Sequence, residues 1–180
     1  MKSQNELHKK LYYSAERVFV IRSNNLSLIS KEIQEELLFN DRLWIIDGNR
    51  CRTERGIFRE FHTTMFFPEP VCDSWDAMID WLSDLSWVNY IDERNASITQ
   101  SHFIIIRNAT RLGELNDGSR RIFFNMMSDF ENARWKTLSR SRKGVFRFIL
   151  ACPNSEYSTL RSNLTEYGIP YSEIGGVQHV

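Results

Sequence analysis

At 180 residues, with 23 basic against 23 acidic side chains, the chain has the length of one domain and a formal net charge of zero. That balance excludes a partner selected by bulk charge, so only the local distribution can point to one. Cys51, Cys72 and Cys152 are odd in number and far apart, which argues against a disulfide framework or a zinc ribbon and fits a reducing compartment.

Met1 to Lys10 is polar and lacks the apolar core of a signal peptide, and no apolar run is long enough to span a bilayer. The expectation is a cytoplasmic protein with no membrane partner. Arg17 to Ile21 is β-rich and predicts a first strand. Asn24 and Asn25 offer a cap for a helix over Leu26 to Leu38, where Leu26, Ile29, Ile33 and Leu37 keep helical spacing. Leu43 to Ile46 predicts a second strand, ended by the turn pair Asp47-Gly48. Residues 54 to 65 read as a helix with Ile57, Phe58, Phe61 and Met65 on one face. Pro68 and Pro70 then break the chain. After an amphipathic helix over 73 to 85 and a polar loop, His102 to Ile106 has the unbroken apolar character of a buried strand. A long helix over 119 to 139, a strand over Val145 to Leu150 and a helix from Tyr157 to Tyr167, closed by Gly168, complete the order. Strands alternating with helices predict an α/β fold with a small parallel sheet flanked by helices. The expected organisation is one globular unit: an N-terminal strand–helix extension (1–41), a core (42–152) and a C-terminal helical extension (153–180). The two ends are expected to add to the same sheet or cover its edge.

The stretch from Asp73 to Leu85 is the most informative one. Wound at about 100° per residue, it gathers Trp75, Met78, Ile79, Leu82 and Leu85 on one side and Asp73, Asp76, Asp80 and Asp84 on the other. No Lys or Arg occurs between Arg59 and Arg94. Asp76–Asp80 and Asp80–Asp84 are like-charge pairs at i, i+4, which disfavour the helix, and Asp84 sits at the wrong end of its dipole. Stability alone would favour alternating signs. A one-signed face of this kind suits a positively charged partner.

The block from Trp44 to Cys152 resembles the barstar family of intracellular ribonuclease inhibitors. The resemblance rests on Ile46-Asp47-Gly48, on Phe58 and Phe61-His62, and above all on Phe67-Pro68 leading into the Trp75-Asp76-Ala77-Met78-Ile79-Asp80-Trp81-Leu82 order. It covers roughly three-fifths of the chain, and the termini have no counterpart in the minimal family member. It implies an immunity protein that plugs the basic active site of a cognate nuclease toxin, with no enzymatic activity and no cofactor. On this sequence the implied toxin-binding residues are Asp76 and Asp80, with Ile79 and Ser83 beside them, Asp73 and Asp84 at the margins, and Glu131 from the long helix. Pro70 and Val71 occupy the place where the family carries loop aromatics, Cys72 stands where a Gly is usual and Ser74 where an Asn is. These departures imply different loop contacts and a different toxin.

Two other readings compete. Asp76 and Asp80 could hold a divalent metal as a small hydrolase, but no third ligand lies at helical spacing beside them. The basic stretch Arg134, Lys136, Arg140, Arg142, Lys143 and Arg147 could contact RNA, although a solvated helix end is the simpler explanation, so nucleic acid is not the expected partner. Gly113 and Gly175-Gly176 form no phosphate-binding loop. His62 reads as a structural or surface histidine and not a catalyst, and the negative surroundings of Cys72 should raise its pKa and leave it unreactive.

Overall fold

The computed structural model describes residues 2–38, 41–69, 72–83, 101–129 and 145–175. In chain order they form α1 (Lys2–Tyr13), β1 (Val18–Arg22), α2 (Leu26–Glu36), β2 (Arg42–Asp47), α3 (Glu54–Met65), α4 (Trp75–Ser83), β3 (His102–Arg107), α5 (Asp117–Asp129), β4 (Phe146–Cys152), α6 (Tyr157–Glu166) and β5 (Ser172–Ile174). The five strands make one sheet in the order β2-β3-β4-β1-β5, with every neighbouring pair parallel.

Alternation along the strands divides the core in two. Val18 and Val20 of β1, Trp44 and Ile46 of β2, Ile104 and Ile106 of β3, and Phe146, Phe148 and Leu150 of β4 share one cluster with residues of α3, α4, α5 and α6. Phe19 and Ile21, Phe103 and Ile105, and Ile149 and Ala151 belong to the other, with Leu11 of α1 and Ile29 and Ile33 of α2. All seven residues of β4 are buried, as expected of a strand covered on both faces. The region before residue 42 thus supplies strand β1 and the helices of one face, and the region after 152 supplies α6 and edge strand β5.

Local chemistry explains most of the boundaries. Asn25 caps α2 by accepting from the Leu28 N–H at 3.1 Å, Thr53 caps α3 by accepting from the Gly56 N–H at 3.1 Å, and Asn116 accepts from the Ser119 N–H at 3.1 Å at the head of α5. At Asp47-Gly48 the chain passes so close to β3 that a Cβ on Gly48 would lie 2.3 Å from the Asn108 carbonyl oxygen. Gly168 closes α6 at φ +65°. Beyond these turns an ion-pair chain joins the loops that follow β2, β3 and β4: Arg52 to Glu114 at 2.8 Å, Glu114 to Arg111 at 2.8 Å, and Arg111 to Glu156 at 3.2 Å.

Two elements are absent from the sequence-based reading. Among its described side chains α1 has one that is fully buried, Leu11, with Leu7 and Tyr12 packed in part against the same cluster, and β5 is three residues long. The long helix predicted over 119–139 is described over Asp117–Asp129, and its remainder lies outside the described residues.

Candidate functional site

Helix α4 is seated through its apolar side. Met78 and Leu82 are fully buried, while Trp75, Ile79 and Trp81 pack against the same core cluster. Trp75 meets Phe58 of α3 edge to face, 4.9 Å between ring centres, and lies 6.4 Å from Phe123 of α5. Its indole N–H donates to Glu54 Oε2 at 2.8 Å, and the Ser119 hydroxyl donates to the same oxygen at 3.0 Å. One carboxylate at the head of α3 thereby ties the first turns of α4 and α5 together. A rigid mounting of this sort holds the opposite flank of α4 in a fixed orientation.

That opposite flank is acidic. Asp73, Asp76 and Asp80 are all exposed. Among the described residues no ion pair involves Asp73 or Asp76. Ile79 is half-buried beside them. Ser83 is buried at 8% exposure, so the structure does not place it on the exposed flank with the acids. Asp84 and Glu131 lie outside the described residues.

The loop leading into α4 is organised by His62. Its Nδ1 accepts the Cys72 N–H at 3.4 Å, its Nε2 lies 4.0 Å from Glu69 Oε1, and its backbone carbonyl accepts the Phe67 N–H at 3.1 Å. Of the structural and surface roles open to this histidine, the contacts favour the structural one. Ser74 caps α4 by accepting the Ala77 N–H at 3.2 Å, a task that the Asn usual at this place performs equally well. The Cys72 thiol is buried and donates to the Ser74 carbonyl oxygen at 3.6 Å. Burial first, and the neighbouring Asp73 second, raise its pKa. The direction agrees with the sequence-based expectation, but desolvation outweighs the local charge. Pro70 and Val71 lie outside the described residues.

Sequence reasoning did not single out Glu54 or Ser119, because a polar residue in a first helical turn carries no signal of what it touches. Arg147 requires a correction. Counted in the basic stretch as a possible RNA contact, it is only 6% exposed and its guanidinium donates to the carbonyl oxygens of Leu11 at 2.8 Å and Ser14 at 3.0 Å. Residues 134–144 of that stretch lie outside the described residues. Among the described residues no group of three or more His, Cys, Asp or Glu side chains is arranged to hold a metal ion.

Fold and site together define a parallel α/β protein with an acidic helix fixed on its apolar side. The chain belongs to the barstar family: the family described as Barstar (barnase inhibitor) matches residues 42–151. No curated protein matches the chain. Solved structures share its fold at low identity. The Walker-type ATPase of Pyrococcus abyssi superposes with a TM-score of 0.58 at 14% identity, over 97% of this chain and 52% of that one. Cdc6p of Pyrobaculum aerophilum gives 0.54 at 12% identity, over 96% of this chain and 43% of that one. The chain thus spans about half the length of these structures or less. The likeness is one of fold alone. A Walker phosphate loop needs Gly-Lys at the head of the helix after a strand, whereas no Gly in this chain precedes a Lys and the turn after β1 reads Ser23-Asn24-Asn25.

Proposed function

We propose that this protein is an immunity protein that inhibits a cognate nuclease toxin, a ribonuclease by preference, by setting the exposed flank of α4 into the toxin's basic active site. Membership in a family of barnase inhibitors supports the reading, and the observation that carries it is the exposure of Asp73, Asp76 and Asp80 on a helix whose other side is buried. Ribonuclease sites gather Arg, Lys and His to hold phosphate and stabilise transition-state charge. Carboxylates on a rigid helix imitate that phosphate, and with Arg they form bidentate, charge-assisted pairs. Asp76 and Asp80 make the central contacts, with Asp73 contributing less. The protein acts in the cytoplasm, on a toxin of the cell's own making or one delivered by a competitor, as in contact-dependent inhibition.

The test is inhibition of RNA cleavage by two nucleases: barnase, and the nuclease encoded beside this chain's own gene. Inhibition of either one is expected. Asp76→Ala and Asp80→Ala should each weaken binding by well over tenfold, as loss of one member of a desolvated charge pair does. A change of less than about threefold for both overturns the active-site plug.

A further inference from the structure

The residue that ends α3 is an anomaly. Phe66, in the capping position, has φ 57° and ψ 47°, the left-handed conformation. Helices often end this way, but with Gly, or with Asn, since a Cβ crowds the following carbonyl. Apart from glycines, the described residues adopt positive φ only at Phe66 and Asn108, and Asn tolerates that region. The strained ring is not held in place by burial either. Phe66 is 69% exposed, while its neighbour Phe67 is buried at 4%. A bulky side chain in a disfavoured conformation, with its apolar ring in water, lowers stability twice over. Such outliers persist where function retains them.

Its surroundings indicate what the ring meets. Phe66 is one helical turn beyond His62, whose carbonyl accepts the backbone N–H of Phe66. The imidazole of that histidine contacts Glu69, itself 80% exposed, and binds the backbone of Cys72, next to exposed Asp73. Phe66 is thus anchored to the same histidine that contacts exposed Glu69 and the backbone of Cys72, on the acidic segment that leads into α4. Carboxylates around an aromatic face attract a cation, and an arginine side chain stacks on such a face through both its charge and its flat guanidinium.

We propose that Phe66 is a specificity-determining contact of the toxin-binding surface, its ring receiving an arginine side chain that flanks the toxin's basic centre. This rests on the nuclease-inhibitor reading. The experiment uses whichever of the two nucleases the wild-type chain inhibits, with binding and thermal melting measured for Phe66→Gly, Phe66→Leu and Phe66→Trp. The expected pattern is opposed signs: Phe66→Gly melts about 3 °C higher, because the backbone strain is relieved, yet binds about tenfold more weakly. Phe66→Trp keeps the affinity within about twofold, and Phe66→Leu loses about fivefold because it has no π face. A Phe66→Gly variant that binds as tightly as wild type overturns the proposal, as does a Phe66→Leu variant that does so. If Asp76→Ala and Asp80→Ala weaken binding while the Phe66 variants do not, this inference alone fails. If the wild-type chain inhibits neither nuclease, the functional reading fails and takes this inference with it.

Discussion

Arg147, the second residue of β4, donates its Nε hydrogen to the backbone carbonyl oxygen of Leu11, 2.8 Å away in the last turn of α1. A second nitrogen of the same guanidinium donates to the Ser14 carbonyl oxygen at 3.0 Å and a third to Phe146 at 3.4 Å. The last carbonyls of a helix have no partners within it, and a cation at that end also opposes the helix dipole. A strand of the barstar block therefore supplies the C-terminal cap for a helix that lies outside that block. Besides the pairing of β1 with β4, the N-terminal extension is thus bonded to the family core through Arg147, one of the six basic residues of the stretch weighed as a possible RNA contact.

Removing that guanidinium should unfold the joint before it affects any surface property. Arg147→Ala leaves buried carbonyls without donors, and hydrogen bonds to charged groups contribute about 1.5–3 kcal/mol each. The expected loss is about 3 kcal/mol, read from the urea midpoint at unchanged slope. Amide exchange in α1 should accelerate more than in α3. Arg147→Lys keeps the charge but lacks the fork that serves two carbonyls at once, so it should recover less than half of the loss.

Glu54 also makes contacts that reach across elements. Trp75 Nε1 and the Ser119 hydroxyl converge on its Oε2, so Glu54→Ala orphans two donors at the heads of α4 and α5. A destabilisation of about 2 kcal/mol is expected. Trp75→Phe keeps most of the ring contact with Phe58 and should lose only about 1 kcal/mol. Because the two changes remove the same hydrogen bond, the double variant should be less destabilised than their sum by about 1 kcal/mol. Additive losses in a double-mutant cycle would show that the Glu54–Trp75 bond contributes nothing.

How far these contacts could be read beforehand depends on their sequence separation. The sequence pattern placed every strand except β5 and every helix except α1, because the helices bury a stripe that recurs at 3.6 residues and the central strands, covered on both faces, are short unbroken apolar runs. α1 fails that criterion: Leu11 is its one fully buried side chain among the described ones, and it is held from outside by Arg147. The acidic flank of α4 was legible for the same reason as the buried one, as the two are complements on a single wheel. Glu54, Ser119 and His62 were not, since each bonds to residues 10 to 65 positions away and no local pattern records that. Phe66 did carry a local signal, a bulky residue at the position after the last helical one where Gly is expected.

The buried thiols make the fold sensitive to alkali. Burial, and then the Glu156 carboxylate, push Cys152 up to about 11. Burial, then Glu60 and Asp47, raise Cys51 as well. In the unfolded chain both thiols ionise at about 8.5, so above that pH the unfolded state holds fewer protons than the folded one and stability falls as pH rises. The contribution of Cys152 is complete below about 8.5 and is lost progressively up to about 11. Urea melts at pH 8, 9 and 10 should show midpoints dropping at each step. Cys152→Ala will be less stable at every pH because it leaves a cavity, but its slope against pH should be visibly shallower. An unchanged slope would mean that the thiol ionises in the folded state as it does in the unfolded chain.

The acids of α4 should behave as steering charges and as mildly unfavourable neighbours at the same time. Asp76 and Asp80 are four residues apart on one exposed flank, and such a pair destabilises a helix by about 0.2–0.5 kcal/mol. Asp80→Asn should therefore raise stability by a few tenths of a kcal/mol while weakening inhibition. Association with the inhibited nuclease should slow by at least tenfold between 20 mM and 500 mM salt, as the Debye length contracts from about 20 Å to about 4 Å. Asp80→Asn should make that dependence shallower, and combining it with Asp76→Asn shallower still. Dissociation should respond far less to salt, since contacts already formed are poorly screened. An association rate that ignores ionic strength would place the binding surface elsewhere on the molecule, away from the flank that Asp73, Asp76 and Asp80 expose.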